Sequence, residues 1–158
     1  MKTKTLHIIR HGKALHSIEI DDVDRPLIVK GIHNNIANAK SLISKYSAPQ
    51  LIISSHAARA LQTAHIFARE TGYPHEKIIV NEKLYLNGAK ETYNIIKNLP
   101  ENIDSVMIVG HNPDMTFVAN RFSANIGDLP TSGVVSILFE ANQWSEIESS
   151  KYNNTIIQ

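Results

Sequence analysis

Apolar residues come in short bursts along this chain, and the spacing within each burst predicts an element. Residues 4–10 (KTLHIIR), apolar and β-branched towards their end, predict a first strand. The polar and acidic stretch 12–27 (GKALHSIEIDDVDRPL) predicts a loop. Beyond it, Ile32, Ile36, Ala39, Ile43 and Tyr46 recur at spacings of four and three, one face of a helix over residues 28–46. LIIS (51–54) predicts a buried strand. AARALQTAHIFARET (57–71) predicts a helix with Ala57, Leu61, Ala64 and Ala68 on its inner face, stopped by Gly72 and Pro74. KIIV (77–80) predicts a third strand, ETYNIIKNL (91–99) a short helix ended by Pro100, and SVMIVG (105–110) a strong strand. PDMTFVANRF (113–122) predicts a helix with Pro113 in its first turn, where the missing N–H costs nothing. GVVSILFEA (133–141) and QWSEIE (143–148) predict two strands joined by a tight turn, and the closing KYNNTIIQ carries little signal.

Strands thus alternate with helices almost to the end. That order implies right-handed βαβ units and an α/β fold: three layers, α/β/α, around a mainly parallel sheet with an antiparallel C-terminal element. A length of 158 residues suits a single domain spanning residues 1–158.

Composition changes this picture little. The hydrophobic fraction of 42% and charged fraction of 20% are ordinary for a globular protein. Sixteen Lys and Arg against 15 Asp and Glu give a net charge of +1, with no dense basic run. That gives no case for a nucleic-acid partner. The absence of cysteine excludes disulfides, thiolate metal sites and a cysteine nucleophile. The apolar run after the basic start MKTKTLHIIR is too short for a signal-peptide core, and no segment approaches a membrane-spanning length. The expectation is a cytoplasmic protein without a membrane partner.

Chemistry gathers at the strand ends, where parallel sheets of this kind place their ligands. Arg10, His11 and Gly12 follow the first strand. Ser54, Ser55 and His56 follow the second, with Arg59 in the next helical turn. Gly110, His111 and Asn112 follow the strand at 105–110. Guanidinium groups match phosphate oxygens in a bidentate way, and a helix starting near Ala57 would aim free N–H groups at the same place. Gly12 would let backbone approach a ligand. Singly, each feature has an ordinary explanation: Arg-His-Gly recurs by chance, His111 could be a buried structural histidine, and Arg59 could be solvated. Their conjunction on one sheet edge points to an anion site.

The remaining histidines (His7, His16, His33, His56, His65 and His75) lack this placement and read as structural or surface residues. Zinc usually takes three protein ligands, and the flanking arginines would repel a cation, so no metal and no cofactor is expected. Asp21, Asp22 and Asp24 lack the Gly and Glu of a calcium loop and read as a solvated loop, with shaping of substrate access as the alternative. No P-loop, dinucleotide fingerprint or nucleophile-elbow serine is present.

Five stretches, "IIRHGKA", "DRPLIVKG" (24–31), "SSHAARALQTA" (54–64), "VGHNP" (109–113) and "LPTSGVVSILF…W", resemble the histidine phosphatase superfamily, and within it the compact SixA-type phosphohistidine phosphatases. The resemblance runs from about residue 4 to residue 148 and implies a phosphoglycerate mutase-like fold. It implies that His11 is the nucleophile, that Arg10 and Arg59 hold the phosphate oxygens, and that His111 faces the phosphate from the other side. Arg25 matches a further arginine near the site, and Gly12 and Asn112 fall at phosphate- or substrate-binding positions. Both arginines, helix N–H groups and a protonated His111 would then neutralise charge during transfer without a metal, with His11 attacking as the neutral imidazole.

Glu82, within "VNEKLYLNG" (80–88), is the one carboxylate near the family's acid position; it reads first as a surface charge and second as the acid. Lys13 follows Gly12 and would add positive field. The chain lacks the large insertion that roofs the site of mutases in this family. An open site without a clear acid suits phosphohistidine, whose imidazole leaves far more easily than an alkoxide. The reading is therefore a metal-independent protein phosphohistidine phosphatase, a monomer whose partner is a phosphohistidine-bearing protein such as a phosphotransfer protein. The alternatives are a small-molecule phosphomonoesterase, a mutase, and a non-enzymatic phosphoprotein-binding module.

Overall fold

Strand β1 (Thr3–Arg10) divides its side chains between two cores, as the two-residue period of a strand requires. The structure is a computed structural model that describes residues 2–122 and 124–158. Leu6 and Ile8 enter one core, and Ile9 enters the other. The chain continues through α1 (Val29–Ile43), β2 (Leu51–Ser54), α2 (Ala58–Thr71), β3 (Ile79–Val80), α3 (Ala89–Lys97), β4 (Ser105–Gly110), α4 (Asp114–Arg121), β5 (Val134–Glu140) and β6 (Tyr152–Ile157). The six strands form one sheet in the order β3-β2-β4-β1-β5-β6. Pairs β3/β2, β2/β4 and β4/β1 are parallel, while β1/β5 and β5/β6 are antiparallel.

Helices cover both faces. One core joins Leu6, Ile8, Val106 and Ile108 to Ile96 of α3 and Val118 of α4. The other joins Ile9, Ile52, Met107 and Val109 to Leu42 of α1 and Phe67 of α2. The three-layer α/β architecture with its antiparallel C-terminal element follows. Among the described residues no helix is long and apolar enough to cross a membrane.

Three elements differ from their sequence expectation. Residues 143–148 are not a strand: Trp144–Ser149 form a 3-10 helix. Trp144 and Ile147, three apart, lie on one face of that helix and are both buried, and the Trp144 indole N–H donates to the Ile103 carbonyl at 2.7 Å. The strand that pairs with β5 is instead β6, in the tail whose two asparagines break its apolar alternation. The third strand shortens to Ile79–Val80 because His75–Lys77 close into a 3-10 turn.

Helix α1 is also rotated from its expected face. Its buried residues are Gly31, Asn35, Ala39 and Leu42, while Ile32 is exposed. The cause is local. Gly31 packs on the backbone of Lys13 so closely that a Cβ there would lie 2.3 Å from the Lys13 carbonyl oxygen. Asn35 turns inward to donate to Thr63 Oγ1 at 3.0 Å. Alanine at position 31 would gain about 1 kcal/mol in helix propensity. Backbone cannot yield as a side chain can, so Gly31→Ala is expected to destabilise the fold by about 1–3 kcal/mol net, read as a lower urea midpoint. An unchanged or higher midpoint would contradict this packing.

Candidate active site

β1 and β4 are parallel neighbours, with Arg10 opposite Gly110. The residues that leave their carboxyl ends, His11 and His111, are therefore side by side, with ring centroids 5.1 Å apart. β2 lies on the other side of β4, and the Ser55 N–H donates to the Val109 carbonyl at 3.0 Å. The chain then turns into α2, whose first turn carries Arg59 back over the same edge. Three adjacent parallel strands thus deliver one cluster.

Hydrogen bonds fix both imidazole tautomers. His11 Nδ1 lies 2.7 Å from the Gly12 carbonyl oxygen, which can only accept. Nδ1 therefore carries the proton and Nε2 keeps its lone pair. Arg59 Nε donates towards that Nε2 at 3.4 Å. A guanidinium has no acceptor, so His111 Nδ1 accepts from Arg59 Nη2 at 3.3 Å, and His111 Nε2 donates to Ser55 Oγ at 2.8 Å.

Both rings are neutral. Burial, with Arg59, Arg10 and Arg25 nearby, pushes His11 down from 6.5 to about 4, against the opposing pull of the Gly12 carbonyl. Burial, followed by His11 and Arg59, pushes His111 down to about 3. The expectation of a protonated His111 is thus corrected for the unliganded site: burial disfavours the charged ring, and the Arg59 guanidinium beside it adds to that. His7, buried against Ser136 Oγ at 2.7 Å, is lowered to about 4 by burial.

All three histidines bind protons more weakly in the fold than in the unfolded chain. Their contribution to stability is present above pH 6.5 and is lost as pH falls towards 4. The denaturant midpoint should be flat just above neutrality and fall through that window. A midpoint that rises between pH 6.5 and 4 would count against neutral buried rings.

The cluster opens on a cavity of about 400 Å³, lined by Arg10, His11, Lys13, Ala14, His16, Arg25, Arg59, Leu86, His111, Asn112 and Thr131. Four of these side chains are cationic and none is a carboxylate. Arg10 Nη1 donates to the Leu129 carbonyl at 3.0 Å, while its buried Nε has no partner among the described residues. Oxyanion oxygens would satisfy such donors.

The remaining candidates fall into different places. Arg25 reaches the cavity and pairs with Asp22 Oδ1 through Nε at 3.0 Å. Lys13 lines the cavity from an exposed position. Asn112 lines it too, but its amide donates to the Leu129 carbonyl at 2.9 Å and accepts from Thr116 Oγ1 at 2.9 Å, so it braces the start of α4. Gly12 does not clear room for a ligand. A Cβ there would lie 2.7 Å from Asn35 Nδ2 and 3.0 Å from Leu27 Cδ2, inside the protein. Its N–H donates to Thr63 Oγ1 at 2.9 Å, and that hydroxyl donates to the Arg59 carbonyl at 2.8 Å, tying the segment after β1 to the start of α2. Glu82 is exposed, in a 3-10 turn outside the cavity lining.

Sequence reasoning missed Asp22. Its Oδ2 accepts from Arg59 Nη2 at 3.0 Å and from the Tyr85 hydroxyl, and its carbonyl accepts from Arg59 Nη1 at 2.6 Å. Tyr85, together with Arg59 and Arg25, holds this carboxyl well below the usual carboxylate range. The Tyr85 ring stands edge-on to His111, at 5.2 Å between centroids. Nothing in an Asp-rich loop marks which aspartate turns inward. The three-residue step from Asp22 to Arg25 is the one available hint.

The sequence model of the histidine phosphatase superfamily (branch 1) matches residues 6–85. The chain belongs to this superfamily. An uncharacterised protein of Mycobacterium tuberculosis is 28% identical to this histidine phosphatase over 152 residues, covering 89% of this chain and 92% of the relative. Among solved structures, a protein assigned as phosphohistidine phosphatase SixA from Agrobacterium tumefaciens is 26% identical, with a TM-score of 0.76 over 85% of this chain and 90% of that one. Another, from Nakamurella multipartitia, has the same fold, with a TM-score of 0.85 at 18% identity over 100% of this chain and 97% of that one. A mycobacterial glucosyl-3-phosphoglycerate phosphatase shares the fold more distantly, with a TM-score of 0.67 at 16% identity over 98% of each chain.

Proposed function

We propose that this histidine phosphatase removes the phosphoryl group from phosphohistidine on proteins, with His11 as the transient acceptor. The observation that carries the reading is the neutral His11 ring. Its Nε2 lone pair faces a cavity that holds Arg10 and Arg59 and no carboxylate. In the first step Nε2 attacks phosphorus in line, the substrate's P–N bond breaks, and its imidazole leaves, taking a proton from water. In the second, water attacks phosphorus, the P–Nε2 bond breaks, the water's spare proton neutralises the hydroxide left by the first step, and hydrogen phosphate departs while His11 returns to its neutral form. Arg10 and Arg59 neutralise the equatorial oxygens in both steps.

The leaving group decides between substrates. An alkoxide needs a proton donor at the site. Here Glu82 lies outside the cavity, and the His111 Nε2 proton is committed to Ser55. An imidazole needs far less help, which supports phosphohistidine over alkyl phosphates. A cavity of about 400 Å³ that opens to solvent suits a residue displayed on a protein, a phosphotransfer domain being the natural example, and a monomer suffices to build it. A solved protein histidine phosphatase SixA that holds tungstate has this fold, with a TM-score of 0.82 at 20% identity.

The test compares turnover of a histidine-phosphorylated phosphotransfer domain with that of an alkyl phosphate, in wild type and Glu82→Gln. The expected outcome is rapid loss of phosphohistidine, slow ester cleavage, and no effect of Glu82→Gln on the former. Equal rates on both substrates, with ester cleavage abolished in Glu82→Gln, would favour the small-molecule phosphomonoesterase. Phosphate affinity without turnover would favour a binding module.

A further inference from the structure

Arg59 meets four acceptors through three nitrogens. Nε faces His11 Nε2, Nη1 faces the Asp22 carbonyl, and Nη2 is shared between Asp22 Oδ2 at 3.0 Å and His111 Nδ1 at 3.3 Å. A phosphoryl group in line with His11 Nε2 and beside His111 must bring an oxygen to that same Nη2. Arg25, which lines the same cavity, also points its Nε at Asp22, at 3.0 Å. The aspartate is therefore a carboxylate set on two of the cavity's guanidinium groups, one of them Arg59, which an arriving phosphate would use. Unlike Arg59, which is buried, its side chain is about half exposed (49%). An ion pair with one partner in water is weak and exchangeable, and the freed carboxylate can be taken up by solvent at little cost.

We propose that Asp22 is a built-in counter-anion of the phosphate site: it holds Arg59 and Arg25 when the site is empty, yields Arg59 Nη2 to the substrate phosphoryl group, and returns to expel inorganic phosphate. This rests on the reading of the cavity as a phosphate site and adds to it how the product is released. Tyr85 completes the arrangement by donating to Asp22 Oδ2, so the carboxylate has a fixed seat to return to. A carboxylate and a phosphate dianion that share one guanidinium repel each other across a few ångströms. Removing the carboxylate charge should therefore tighten phosphate binding by about tenfold or more.

The sign of that change separates this role from a merely structural one. If Asp22 only steadied Arg59, its loss would loosen the guanidinium and weaken phosphate binding. Asp22→Asn keeps the shape, the backbone carbonyl contact and an acceptor oxygen while removing the charge; Asp22→Ala removes the side-chain contacts as well. Inorganic phosphate is titrated calorimetrically into wild type and both variants, and its inhibition of turnover is measured in parallel. The expected result is a dissociation constant about tenfold lower in Asp22→Asn than in wild type, with product inhibition stronger to match. Equal or weaker phosphate binding in both variants would overturn the counter-anion role and leave the phosphate site standing. Absence of phosphate binding in all three proteins would overturn the site reading together with the role built on it.

Discussion

His11→Ala is expected to lower phosphohistidine turnover by about 10⁴-fold or more while leaving phosphate binding within a few fold of wild type. The split follows from geometry. Nε2 is the group placed to form the new P–N bond, whereas the oxygens belong to Arg10 and Arg59. Removing the ring leaves the Gly12 carbonyl without its Nδ1–H donor, a cost of about 1 kcal/mol that the fold can bear. Single-turnover kinetics on a histidine-phosphorylated protein, with phosphate titration of the same sample, checks both halves. Retained turnover would remove His11 from the chemistry. Loss of phosphate binding along with turnover would mean that the ring also builds the anion site.

Arg59→Ala should have the next largest effect, a loss of about 10²–10³-fold in turnover at saturating substrate. More is lost than the one charge. Nη1 and Nη2 fasten the Asp22 loop, and Nη2 also sets the His111 tautomer. Arg59→Lys is informative beside it, because a lysine keeps the charge but cannot meet His11, His111 and Asp22 at once. It should recover little of the rate. A lysine variant within threefold of wild type would show that charge alone, not the guanidinium fork, is required.

The sheet and the cluster at its edge were readable because each rests on a local pattern. A β-branched run followed at once by Arg-His-Gly, or by Gly-His-Asn, is a strand end whatever surrounds it. Parallel pairing then brings Arg10 and Gly110 into register without further information. The errors share a cause in contacts distant along the chain. Rotation of α1 depends on where Lys13 places its carbonyl, and no periodicity within the helix carries that. Residues 143–148 and the tail exchange roles because Trp144 reaches the Ile103 carbonyl, while β6 needs β5 to define it.

Within the site the same rule holds. Glycine after a strand often leaves space for a ligand, but at Gly12 the missing side chain faces Asn35 and Leu27. Asp22 was hidden among three acidic neighbours, and only the fold turns it towards Arg59. A bound phosphate would favour a protonated His111. Burial, with His11 and Arg59 beside it, leaves the ring neutral in the empty site.

The central claim is that phosphorus passes through Nε2 of His11. Rapid-quench trapping of the enzyme during turnover, followed by phosphorus NMR and peptide mass mapping, tests it most directly. One acid-labile, base-stable phosphoryl group should be found on His11, as the Nε2 isomer, because Nδ1 is held by the Gly12 carbonyl. A phosphoryl group on Nδ1, on another residue, or on no residue while phosphate is being released would contradict the account.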